Sequence, residues 1–352
     1  MTASILIYGA SGYTGELTAR SARDQATDCI VAGRSSEKVR AVSDRYGFES
    51  RVFGLDDPDD LERGLSGVSV VLHCAGPFSR TSQPMVDACL KLGVHYLDIT
   101  GEVSVFEALR ARSDEARRAS VMLMPGAGFD VVPSDCLAAY VASKVTGATE
   151  LVLAFRGQGR ISHGTATTMT ENLDRPAFVR KDGKLTPIGL GSRVRDIDYG
   201  DGVSRRSMAI VWGDISTAHH TTGIPNIEVY VPATKAMIVG ARVVSRLGAV
   251  LASKPVKRLI QRRIDAGPAG PTDAERARGK SMLFAEARAD SGATARAWLE
   301  TPEGYTLTVL TSLEIARRAA AGEARAGFQT PAGLFGADFV LGFDGVRRRD
   351  AG

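Results

Sequence analysis

Between Ile5 and Ala142, short apolar runs rich in β-branched residues alternate with helical patterns, and no other feature constrains the fold as tightly. A chain that repeats strand and helix in this way covers both faces of its strands, which gives a doubly wound, Rossmann-type parallel sheet. The strand runs are Ile5 to Tyr8, Cys29 to Ala32, Arg51 to Phe53, Val68 to His73, His95 to Ile99 and Ser120 to Met124. Helical patterns fill Gly15 to Gln25, Ser36 to Tyr46, Pro58 to Leu65, Gln83 to Leu92 and Val103 to Arg118. Ser36 and Asp57 stand where helix N-caps are needed, and Gly47, Gly67 and Gly93 stand where helices end.

The first strand runs into Gly9-Ala10-Ser11-Gly12-Tyr13-Thr14-Gly15, which opens the first helix. In a dinucleotide loop Gly9 allows the tight turn, Gly12 lets the backbone approach a pyrophosphate, and Gly15 permits close packing of helix on sheet. Unpaired N–H groups at the helix start then meet the phosphates. The second strand ends in Ala32-Gly33-Arg34-Ser35-Ser36, where an NAD site would place Asp or Glu for the ribose 2′-hydroxyl. Arg34 suits a 2′-phosphate instead, with Ser35 beside it and Lys38 one turn later, so the expected cofactor is NADP(H). After the fourth strand, Cys74, Ala75, Gly76 and Pro77 are small enough for the backbone to run beside a ribose and nicotinamide.

Hydride transfer asks little of a protein beyond alignment and a proton source. Asp98 and Glu102 follow the fifth strand and Asp130 follows the sixth, on the edge where open sheets bind ligands. Each is a candidate general acid if burial raises its pKa. Glu102 also suits a cap for the next helix, and Asp135 suits a helix N-terminus after Pro133. Tyr13 and His163 are rival proton donors. No residue set suggests a metal site, and His219-His220, read as strand neighbours, would point to opposite sides.

Five motifs in order resemble saccharopine dehydrogenase-like oxidoreductases: Gly9 to Gly15, Ala32 to Ser35, Cys74 to Phe78, Tyr96 to Glu102 and Gly126 to Asp135. The resemblance is dense to about residue 145, with Ser162 to Thr165 and Gly327 to Ala332 as later landmarks. It implies NADP(H) redox chemistry on the C–N bond of an amino-acid adduct, as in saccharopine reductases, or on an enoyl group, as in trans-acting enoyl reductases of lipid assembly. On the residues, an enzyme that reduces a C=C or C=N bond of a small or lipid-like substrate competes with a noncatalytic NADP(H)-binding adaptor. Arg156, Arg160, Arg175 and Arg180 are candidate clamps for an amino-acid carboxylate.

The expected division is an NADP-binding domain at 1–148, an α+β domain with a mixed or antiparallel sheet at 149–330, and a closing segment at 331–352 that returns to the first domain. In the second domain Glu150 to Arg156, Ile227 to Val231, Ser281 to Arg288, Ala293 to Thr301 and Tyr305 to Val309 read as strands, with Glu303-Gly304 as a hairpin turn. Thr165 to Leu173 and Leu307 to Ala321 read as helices. By analogy such a layer provides a substrate wall and a homodimer contact. Ala236 to Arg263 is apolar and then basic; the favoured reading is a helical hairpin broken at Pro255, its apolar face buried and its basic end solvated. The competing reading is peripheral contact with a membrane surface.

A net charge of +4 is too small to argue for nucleic acid. The four cysteines, Cys29, Cys74, Cys89 and Cys136, form no C-x-x-C pair and read as reduced core thiols. With strand and loop beginning four residues after Met1, no leader pattern is expected, and the expected compartment is the cytoplasm.

Overall fold

In a computed structural model the described residues are 4–157, 162–171, 177–251, 258, 261–263 and 266–351. They form two compact units, one of residues through Val132 together with Tyr305–Leu334, the other of Pro133–Gly304 with Phe335–Gly352.

The first unit is built on β1 (Ile5–Tyr8), β2 (Cys29–Gly33), β3 (Glu49–Val52), β4 (Val70–His73), β5 (His95–Asp98) and β6 (Met122–Met124). They pair in parallel in the order β3-β2-β1-β4-β5-β6, and Gly327–Phe328 adds a short parallel strand beyond β6. β1 and β4 are buried along their whole length, as a sheet covered on both faces requires. The helices are α1 (Tyr13–Asp24), α2 (Ser36–Tyr46), α3 (Pro58–Leu65), α4 (Phe78–Leu92), α5 (Val103–Ala111) and α6 (Ser113–Arg118). Asp57 caps α3 by accepting from the N–H groups of Asp59 (3.0 Å) and Asp60 (3.4 Å). Gly47 and Gly93 end α2 and α4 in the left-handed conformation. The core joins Leu6, Tyr8, Val71, Tyr96 and Leu123 of the sheet to Met85, Phe106 and Leu109 of the helices.

Three local expectations for this unit need correction. The N-cap of α2 is Ser35, not Ser36, and its hydroxyl makes no capping bond. The fourth helix begins at Phe78 rather than Gln83, because the carboxylate of Glu102 satisfies its first N–H groups from outside the segment. The pattern from Val103 to Arg118 is two helices, divided at Arg112, whose ψ of 7° leaves the helical range.

The second unit begins with α7 (Val132–Ser143), β7 (Ala148–Gly157), α8 (His163–Glu171), β8 (Ala177–Lys181), β9 (Lys184–Ile188), β10 (Val194–Asp198) and β11 (Ser204–Ile210). It continues through α9 (Asp214–Thr222), β12 (Asn226–Pro232), α10 (Lys235–Leu251), β13 (Lys280–Ala289) and β14 (Thr294–Pro302). Among the described residues its sheet has nine strands, ordered β10-β11-β12-β7-β13-β14 and then Arg347–Asp350, with β8 and β9 branching from β12. β7 and β12 are parallel while the other pairs are antiparallel, so the sheet is mixed.

Glu303-Gly304 is not a hairpin turn, and Tyr305 to Val309 is not a strand: both belong to the approach and first turns of the helix Gly304–Arg318. This helix buries Thr308, Thr311 and Ser312 along with Leu307, Leu313 and Ile315, which blurs its apolar period into an alternation. The hairpin lies between β13 and β14, where Gly292 turns with φ 88° and the Ala289 N–H donates to the Ala293 carbonyl (2.9 Å). His219 and His220 lie on α9 rather than a strand, and His219 Nδ1 is 2.8 Å from the Ile224 carbonyl. The segment that rejoins the first unit is Tyr305–Leu334; residues from Phe335 stay with the second, where Arg347–Asp350 pairs with β14. The expected break at Pro255, with Lys254 and Lys257, lies outside the described residues, as do Arg160 and Arg175.

Candidate functional site

The carboxyl edge of the first sheet gathers the loops after β1, β2, β4, β5 and β6. At the first, the N–H groups of Gly9 (2.8 Å) and Ala10 (3.1 Å) donate to the Ala32 carbonyl, tying the loop to the end of β2. Gly9 has φ 82°, and a Cβ there would lie 2.8 Å from the Cβ of Ala75. A Cβ on Gly15 would lie 2.2 Å from the Gly9 carbonyl oxygen and 2.9 Å from the Ala10 Cα. Both glycines are therefore demanded by the protein's own packing.

Gly12 differs. Its backbone (φ −80°, ψ 165°) suits any residue, and a Cβ would meet only the Gly9 oxygen at 3.3 Å. It is the N-cap of α1 and supplies no side chain to the first-turn N–H groups, the place where a helix accepts an anion. A glycine whose backbone angles are ordinary, at a helix start with no side-chain cap, fits a pyrophosphate lying against the backbone. Tyr13, on the first turn, sets its ring edge-on to that of Tyr305, with centroids 5.1 Å apart.

Arg34 and Lys38 are exposed beyond β2, and Ser35 is half-buried between them. After β4 the Cys74 N–H donates to the Tyr8 carbonyl (2.8 Å), which lays Cys74 to Pro77 against the β1 loop. His73 is fully buried, and its Nε2 lies 3.0 Å from Thr81 Oγ1. That hydroxyl has carbonyl acceptors at Ala75 (2.7 Å) and Pro77 (3.1 Å). A single hydroxyl proton directed at a carbonyl leaves Oγ1 to accept from Nε2–H, so His73 is the Nε2–H tautomer. Burial pulls its pKa down to about 3 and keeps the ring neutral.

The three acidic candidates separate by their partners. Asp98 is fully buried; Oδ1 accepts from the N–H groups of Thr100 and Gly126 (2.9 Å each), and Oδ2 accepts from the Tyr96 hydroxyl (2.8 Å). Burial raises its pKa to about 7, against the pull of those bonds. Its oxygens pin the loops after β5 and β6 together. Glu102 is buried and holds the start of α4, accepting from the N–H groups of Phe78 (2.7 Å) and Ser79 (3.2 Å). It is the N-cap residue of α5, yet its side chain does not cap that helix.

Asp130 is half-buried in the loop between β6 and α7 and accepts no hydrogen bond from the described residues. Desolvation raises its pKa to about 7. Its carboxylate lies against Gly101, where a Cβ would come within 2.6 Å of Oδ2 and push it aside. The same loop is held by the helix Gly304–Arg318: Thr308 Oγ1 accepts from the Phe129 N–H (3.0 Å), and the Thr311 hydroxyl donates to the Ala127 carbonyl (2.9 Å). Sequence reasoning did not find Thr308, Thr311 or His73, because each acts through a partner that only the fold brings near.

Elsewhere the candidates have other engagements. In the second unit Arg156 pairs with Asp201 (2.9 Å), and Arg180 is buried with its guanidinium on the carbonyls of Ile215 and Gly183. His163 begins α8 with Nε2 2.9 Å from the Gly267 carbonyl, and Asp135 accepts from the Thr221 hydroxyl (2.6 Å). The four cysteines are free, with Cys29, Cys89 and Cys136 buried. Among the described residues no helix is long and apolar enough to cross a membrane.

Residues 5–124 match the family model of the saccharopine dehydrogenase NADP binding domain. A trans-acting enoyl reductase of Mycobacterium ulcerans is 32% identical over 182 residues, covering 47% of this chain and 44% of that protein. A saccharopine dehydrogenase-like oxidoreductase of Homo sapiens is 28% identical over 171 residues, covering 43% of this chain and 40% of the relative. These matches therefore span less than half the length of the curated relatives. Across the whole chain, the apo saccharopine dehydrogenase (L-Glu forming) of Saccharomyces cerevisiae has the same fold, with a TM-score of 0.69 at 12% identity over 99% of this chain and 100% of that one.

Proposed function

We propose that this chain, whose residues 5–124 form an NADP-binding domain of the saccharopine dehydrogenase family, is an NADP(H)-dependent reductase acting on a conjugated double bond. The observation that carries the reading is the loop around Gly12: it opens α1 with no side-chain cap, and the N–H groups of Gly9 and Ala10 tie it to the Ala32 carbonyl, two residues before the exposed Arg34. In this reading the backbone at Gly9 to Gly15 receives the pyrophosphate, Arg34 with Ser35 and Lys38 receives the 2′-phosphate, and Cys74 to Pro77 borders the ribose and nicotinamide. The bound cofactor supplies the hydride.

Asp130 supplies the proton. It is the acidic candidate with no hydrogen bond from the described residues, and a pKa near 7 keeps part of its population protonated at neutral pH. Asp98 and Glu102 act as positioning residues, because their oxygens hold the loops after β5 and at the start of α4. For the acceptor, the family resemblance leaves C=C and C=N bonds. Among the described residues, the candidate clamps Arg156 and Arg180 are engaged by Asp201 and by backbone carbonyls, so the reading takes an enoyl acceptor ahead of an amino-acid adduct. One hydride and one proton then convert the double bond to a single bond, with both new C–H bonds accounted for.

The test follows NADPH oxidation with enoyl thioesters and with imines of an amino acid. Turnover of enoyl substrates is expected, with kcat falling as pH rises through about 7. Asp130→Asn is expected to lower kcat roughly 100-fold or more and to flatten that pH limb. Turnover of imines alone would move the acceptor to C=N; NADPH binding without turnover of either class would instead support a noncatalytic adaptor.

A further inference from the structure

A surface helix normally buries its apolar stripe and exposes its polar one. α10 leaves several large apolar side chains uncovered. It packs on the Gly189 to Gly191 turn through Ile238, Ala241, Arg242 and Ser245: Ile238 is buried, and the Arg242 Nε–H donates to the Gly191 carbonyl (2.9 Å). A Cβ on Gly191 would lie 2.8 Å from the Ile238 carbonyl oxygen, so the approach is close. The outward side carries Val239 and Val243, four residues apart and 57% and 45% exposed, with Met237 at 51% beside them. Three of the seven large apolar side chains exposed among the described residues thus fall within seven consecutive positions. Of the apolar side chains expected to form a buried face here, Ile238 is buried, while Met237, Val239 and Val243 are exposed.

Charge identifies what covers this face. Between Glu228 and Asp265 the sequence carries eight Lys and Arg residues and no Asp or Glu, in a chain whose 44 basic residues are otherwise nearly balanced by 40 acidic ones. A second copy docked helix to helix would bring two such basic segments together, which like-charge repulsion opposes. We infer that the exposed face of α10 docks on an anionic lipid surface: Val239, Val243 and Met237 enter the boundary of the acyl chains, and the exposed Lys235, Arg258, Arg262 and Arg263 meet headgroup phosphates. This placement is independent of the proposed redox reaction.

The experiment is flotation of the full chain with vesicles of phosphatidylcholine alone or mixed with phosphatidylglycerol. Recovery is expected to be roughly tenfold higher with the anionic vesicles and to fall as salt is raised. The double variant Val239→Asn, Val243→Asn changes exposed positions, so it is expected to keep the wild-type melting temperature and NADPH affinity while losing roughly tenfold in vesicle recovery. Equal recovery on both vesicle types, no recovery on either, or recovery unchanged by the double variant would each overturn the inference. So would a dimer in sedimentation that the same variant dissociates, which would assign the face to a second copy.

Discussion

Replacing Gly12 and Gly15 separately by alanine distinguishes a ligand-binding loop from a glycine-rich turn. At Gly15 the new Cβ would lie 2.2 Å from the Gly9 carbonyl oxygen and 2.9 Å from the Ala10 Cα, both backbone atoms, so α1 must move away from β1. Overpacking of this kind costs about 1–3 kcal/mol, a fall of roughly 3–9 °C in melting temperature at about 3 °C per kcal/mol. At Gly12 the new methyl would touch only the Gly9 oxygen, at 3.3 Å, in a backbone conformation open to any residue. The Gly9 carbonyl must give by a few tenths of an ångström and N-cap preference falls, partly offset by reduced freedom of the unfolded chain, for a cost below about 1 kcal/mol. Yet the methyl would occupy the space assigned to the pyrophosphate. Loss of one or two hydrogen bonds to a charged group, at about 1.5–3 kcal/mol, predicts NADPH affinity reduced roughly 10- to 100-fold. Melting of the ligand-free proteins and calorimetric titration with NADPH measure the two effects. A Gly12→Ala protein that binds NADPH like the wild type would refute the assignment, as would one that is destabilised as much as Gly15→Ala.

Other changes probe the remaining groups. Arg34→Ala should weaken NADPH binding roughly 10- to 100-fold while changing NADH binding less than about twofold, because only the 2′-phosphate distinguishes them; parallel losses would remove Arg34 from the site. Asp130 binds its proton more tightly folded than unfolded, so its contribution to stability is complete below about 4 and is lost as pH rises through about 7. Urea unfolding of Asp130→Asn should therefore show a stability gain over wild type that grows between pH 5 and pH 8, values that bracket that upper pKa; a constant difference would contradict the raised pKa. In the second unit Glu286 is 4% exposed and paired with Arg195 and Arg296. Burial pushes its pKa up, and the two guanidiniums more than reverse that. Glu286→Ala should cost about 2 kcal/mol, below the value for a fully buried pair because the arginines reach solvent, and urea unfolding at neutral pH reads it directly.

The first unit was legible because its signals are local. β1 and β4 are continuous apolar runs, Asp57 caps α3 within its own turn, and Gly47 and Gly93 end their helices where expected. What escaped depended on contacts across the sequence. Phe78 begins α4 because a carboxylate 24 residues away caps it, and Thr308 braces a loop 179 residues earlier. Among the acids, chain position alone did not separate Asp98 and Glu102, which hold backbone, from Asp130, which does not. β10 was missed because Val194-Arg195-Asp196-Ile197-Asp198 is a polar edge strand with one buried side chain, Ile197. α10 misled in the opposite direction, since an apolar helical pattern reads as a buried face whether or not anything in the chain covers it.

The most direct test of the account is calorimetric titration of the wild-type protein with NADPH and with NADH under one buffer and salt condition. Binding of NADPH at least tenfold tighter than NADH is predicted, from one 2′-phosphate engaged by Arg34. Equal affinities, or no binding of NADPH, would contradict it.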